Sequence, residues 1–82
     1  MNVIELASAY VEIQNKYDSG KNYTWEDAYT DLKILEANAH GTKRRARTSE
    51  GKLLARLLCE EIAEEKARVV KLCMQYKEKE NT

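Results

Sequence analysis

The sequence contains no proline and no phenylalanine, and only three glycines, Gly20, Gly41 and Gly51. From Ser49 to about Lys79 there is no proline and no glycine after Gly51, so nothing in that stretch interrupts a helix. Cysteine is limited to Cys59 and Cys73, and histidine to His40. That leaves no Cys-x-x-Cys motif, no metal-ligand spacing and no Glu-x-x-His pair of the kind a di-iron bundle needs. No glycine-rich phosphate loop is present either, so the expectation is a non-enzymatic chain without cofactor or metal. No apolar run approaches the ~18 residues of a membrane span, and the amino terminus lacks a basic stretch leading into an apolar core of signal-peptide type. A cytoplasmic protein without membrane contact is expected.

What is present is helical pattern. The 82 residues make a single domain, 1–82, whose buried fraction is modest at this size, so a partner or a second copy would add needed stability. Asn2 and Glu5 form a capping-box arrangement ahead of the stripe Val3, Leu6, Tyr10, Ile13 and Tyr17. The first helix is predicted over about 3–17 and ends in Asp18, Ser19 and Gly20. Thr24 and Asp27 repeat the capping pattern ahead of Trp25, Ala28, Leu32, Leu35 and Ala39, with Tyr23 placed to staple against Ala28. The second helix is predicted over about 25–39, with His40 and Gly41 as its stop and His40 as a partner for the helix dipole.

The third helix, about 49–79, would be some 45 Å long at 1.5 Å per residue. It carries two apolar blocks, Leu53 to Cys59 and Val69 to Tyr76, on either side of a charged waist. Written as heptads its seam is Ala55, Leu58, Ile62, Glu65, Val69, Leu72 and Tyr76, in which Glu65 must reach solvent or a basic partner. Cys59 and Cys73 lie 14 residues apart on one helix, about 21 Å along its axis, too far for a disulfide within the chain. The glutamates at 60, 61, 64 and 65 read as a solvated face, with Arg56–Glu60 and Glu64–Arg68 at ordinary i,i+4 spacing. The fold class is therefore all-α: two short helices and one long one in a small bundle. The short helices lie either side by side on half of the long one or end to end along it. The first case leaves the second apolar block bare, and both invite dimerisation.

Fourteen basic residues balance fourteen acidic ones, but unevenly. Residues 1–40 are acidic, whereas 41–52 hold Lys43, Arg44, Arg45, Arg47 and Lys52 against Glu50 alone. This basic joint, 42–48, is expected on a loop or the loose first turn of the third helix, because cations oppose the dipole there. It suits a polyanion or an acidic partner, with a salt slope near −4 on DNA at about −0.9 per phosphate; a solvated loop or a match to the chain's own acidic half are the alternatives.

A second candidate is the aromatic segment. Tyr17, Tyr23, Trp25 and Tyr29, rimmed by Asp27 and Asp31, either cap a small core or form a partner-contact patch. Val69, Val70, Leu72, Cys73 and Tyr76 are the candidate dimer interface.

The function these features suggest is a small regulatory or inhibitory protein that docks on a protein partner and forms a homodimer through its third helix. Helical chains of this make-up are common among phage and mobile-element proteins, an association of class rather than of residues. A nucleic-acid-binding protein and a structural assembly subunit are the alternatives.

Overall fold

The computed structural model describes residues 2–20 and 22–80, with side chains up to residue 75. The chain forms three helices packed against one another, α1 (Val3–Ser19), α2 (Trp25–Arg45) and α3 (Ser49–Glu80), with no strand among the described residues. Nor is any helix among them long and apolar enough to cross a membrane.

The starts of α1 and α2 are set by local chemistry. The Glu5 backbone N–H donates to Asn2 Oδ1 at 2.8 Å, and the Asn2 N–H donates back to Glu5 Oε1 at 3.4 Å. At α2 the Asp27 N–H donates to Thr24 Oγ1 and the Thr24 N–H to Asp27 Oδ2, both at 3.1 Å. These reciprocal bonds satisfy N–H groups that the first helical turn leaves without partners. Gly20 ends α1 in the left-handed conformation, φ 66°, where it lacks the Cβ that penalises other residues.

The carboxyl end of α2 differs from the sequence expectation. The helix does not stop at His40 and Gly41 but continues to Arg45. Gly41 and Thr42 are buried, and a Cβ on Gly41 would sit 3.1 Å from Arg45 Nη1, so the bare glycine lets the arginine lie back along its own helix. Lys43, Arg44 and Arg45 thus occupy the last turn of α2, where cations complement the negative end of the dipole rather than oppose it. Only residues 46–48 separate α2 from α3. Thr48 Oγ1 accepts from the Gly51 N–H at 3.0 Å, and a Cβ on Gly51 would press on that same oxygen at 3.0 Å. The glycine that weakens the first turn also admits its cap.

α2 and α3 share the largest interface and run antiparallel: Glu36 meets Lys66, while Trp25 and Cys73 line one cavity. α1 lies antiparallel to α2, with Tyr17 against Trp25 at one end and Val3 near Thr42 at the other. The two shorter helices therefore sit side by side on α3, in a body of 52 × 20 × 14 Å. Leu6 and Ile13 from α1, Leu32 and Leu35 from α2, and Ile62 and Val69 from α3 meet in one core. Each fully buried side chain of this size contributes about 1.5–3 kcal/mol.

This packing corrects the expected exposure of the second apolar block. α2 reaches far enough to bury Val69, which is only 1% exposed, so Val69 is part of the chain's own core and not of an interface between copies. Leu72 and Cys73 are half-buried, Val70 is exposed, and the Tyr76 side chain lies outside the described residues. Glu65, the misfit of the seam, accepts from Arg68 Nε at 3.1 Å and also pairs with Arg68 Nη2. Arg68 thus pairs with Glu65 rather than with Glu64.

Candidate functional site

Three surfaces carry the residues singled out by the sequence, and the structure separates them. The first is the turn between α1 and α2. Tyr17 and Trp25 meet edge to face, with ring centroids 5.2 Å apart, and both pack against the core together with Tyr23. The Tyr23 hydroxyl donates to Asp31 Oδ2 at 2.8 Å. Burial, followed by this bond and the nearby carboxylates, pushes the Tyr23 hydroxyl well above the ordinary tyrosine value. Asp27 is occupied in the α2 capping box. Of the expected contact patch, Tyr17, Tyr23 and Trp25 thus close one end of the core, and Asp27 and Asp31 serve internal bonds. Tyr29 stands apart as an exposed aromatic.

Tyr29 belongs to the second surface, a groove between α2 and α3. Two cavities of about 490 and 450 Å³ share Tyr29, Val70 and Met74 as walls. Their exposures are 36%, 39% and 61%, so the groove is apolar and open along the flank of α3. Lys71 lines one cavity and Glu26 the other. Lys66, also in the wall, is bound to Glu36 Oε1 at 2.7 Å, which raises its pKa against the cost of burial. Met74 carries no sequence signal beyond its place in the second apolar block; its role here depends on the start of α2 lying beside it.

The third surface is the basic corner. Lys43, Arg44, Arg45, Arg47 and Lys52 are all exposed. The described ion pairs are Lys16–Glu12, Lys66–Glu36 and Arg68–Glu65, so among the described residues none of these five pairs with the acidic first half of the chain. They do not converge on one spot. Arg45 and Arg47 line a pocket of about 300 Å³ beside the start of α1. Lys43 lies on the other flank, where its charge acts on Cys59.

One approach was not legible in the sequence. Cys59 Sγ lies 3.8 Å from His40 Nδ1, across the α2–α3 interface. Burial pushes the Cys59 thiol up, with Lys43 only partly opposing it, and a protonated thiol is a weak nucleophile. His40 therefore sits inside α2, five residues short of its end, and faces a thiol rather than acting as a terminal dipole partner. Both cysteines are free, and no cluster of three or more potential metal ligands occurs among the described residues.

Comparison with protein-family models, with curated proteins and with solved structures finds no match to this chain.

Proposed function

We infer that this chain is a small, non-enzymatic binding protein of regulatory or inhibitory type, which docks on a protein partner through the α2–α3 groove. The observation that supports this reading is the groove itself: Tyr29, Val70 and Met74 remain exposed while the other aromatics of the α1–α2 turn are packed against the core. A groove between two antiparallel helices accepts the apolar face of a third, with anchors at i, i+3 or i+4 and i+7. Methionine adapts its shape to such anchors, and an exposed tyrosine supplies a rigid ring with a polar tip. Lys71 at one cavity and Glu26 at the other give the groove a polarity, so the partner helix carries an acidic group towards Lys71 and a basic one towards Glu26.

Affinity capture with the wild-type chain, a Tyr29→Ala/Met74→Glu variant and an Ile4→Glu/Val11→Glu control tests this reading. All three should be equally helical, because every altered residue is exposed. A protein held by the wild type and the control but lost from the groove variant supports the reading. Retention by the groove variant contradicts it, and a wild-type dimer in light scattering that the groove variant alone dissociates assigns the groove to a second copy instead.

A further inference from the structure

The basic corner is a surface the docking groove does not use. Its pocket of about 300 Å³ is walled by Arg45 from the last turn of α2, Arg47 from the link, Thr42, Thr48, and Asn2 and Val3 at the start of α1. Neither arginine makes an ion pair among the described residues. An arginine guanidinium presents a planar fork of donors that matches two oxygens of one phosphate group. The starts of α1 and α3 meet here together with the carboxyl end of α2, so the helix dipoles partly offset one another and the two arginines supply the main positive charge. Glu5, the acidic group of the first α1 turn, is held in its capping box. Glu50 is the remaining carboxylate of the segment, against five cations.

We propose that this pocket seats a phosphate of a nucleic acid backbone between Arg45 and Arg47, with Arg44 and Lys52 taking neighbouring phosphates. A small phosphorylated molecule could reach the two arginines of the pocket. Only a polymer also reaches Arg44 and Lys52, which are exposed outside the pocket, whereas Lys43 lies on the flank beside Cys59. No aromatic side chain lines the pocket, so the contact is to phosphate and not to stacked bases, and it discriminates little between sequences. The surface is separate from the α2–α3 groove and stands or falls independently of it.

Fluorescence anisotropy of a short labelled DNA duplex with the full chain, across a salt series, tests the assignment. Four phosphate contacts give a log-log slope of about −3.6, and an Arg45→Gln/Arg47→Gln variant about −1.8. Between 50 and 200 mM salt the wild type should then weaken about 150-fold and the variant about 12-fold. An Arg45→Glu/Arg47→Glu variant with unchanged helicity should lose the complex at all but the lowest salt. The proposal is overturned if the double glutamine variant keeps the wild-type slope or if the duplex does not bind. Displacement of the duplex by inorganic phosphate at constant ionic strength overturns the polymer in favour of a small phosphorylated ligand. Equal binding of polyglutamate assigns the corner to an acidic protein surface instead.

Discussion

Val69 and Val70 are chemically identical neighbours that the fold treats in opposite ways, so truncating each to alanine is a sharp test of how α2 covers α3. Val69 is 1% exposed and Val70 39%. Val69→Ala removes two buried carbons, worth about 1.6 kcal/mol at about 0.8 each, and the cavity left behind brings the loss to about 2–3 kcal/mol. That is a large share of the roughly 4–12 kcal/mol expected for a domain of this length. At about 4–8 °C per kcal/mol, Tm should fall by about 10–20 °C. Val70→Ala, on an open groove wall, should cost no more than about 0.5 kcal/mol, or about 2–4 °C. Thermal melts followed by circular dichroism, with urea titrations to check an unchanged m-value, measure both. Equal losses at the two positions would refute the packing. A large loss at Val70 together with a Tm that rises with protein concentration would show instead that Val70 is buried between copies.

Three further outcomes follow from the same contacts. The Tyr17 hydroxyl is buried with no hydrogen-bond partner among the described residues, so Tyr17→Phe should leave stability unchanged or raise it by up to about 1 kcal/mol; a clear loss in urea titration would mean the hydroxyl is bonded. Tyr10, Tyr17 and Tyr23 all have folded-state values raised above 10.0, chiefly by burial. The folded chain therefore holds these protons more tightly than the unfolded one. Their contribution is complete below about pH 10 and is lost as pH rises through the higher folded values, so stability should decline in alkali, less steeply in Tyr23→Phe; a flat profile above pH 10 would contradict this. The half-buried Lys66–Glu36 pair, 2.7 Å apart, should show a coupling of about 0.5–1 kcal/mol in a double-mutant cycle to alanine, and a coupling of zero would mean that the two helices are not registered there.

What could be read from the sequence was the part written in local chemistry. Asn2 with Glu5, and Thr24 with Asp27, announce their helices within four residues, and the stripes Leu6–Ile13 and Ala28–Leu32–Leu35–Ala39 are buried as their spacing predicts. The carboxyl end of α2 was not legible, because the stop signal of His40–Gly41 is overridden by tertiary packing: Gly41 and Thr42 are buried where α1 begins. That extension places three cations on a helix end and one of them, Arg45, in a pocket with Arg47. The division of the aromatic segment was likewise hidden. Whether Tyr29 is core or surface depends on which flank of α2 faces α3, and the stripe of α2 alone does not settle that. The burial of Val69 is hidden in the same way, since it depends on the amino-terminal end of α2 pairing with this part of α3. The basic segment was visible as composition, but not its split between a pocket and the flank beside Cys59.

The most direct test of docking through the α2–α3 groove is site-specific photo-crosslinking from position 74, with position 11 on the exposed side of α1 as the control. The account predicts a crosslink from position 74, and none from 11, to an amphipathic helix of another protein, eliminated by Tyr29→Ala. A crosslink from position 74 to a second copy of this chain, or equal yields from both positions, would contradict it.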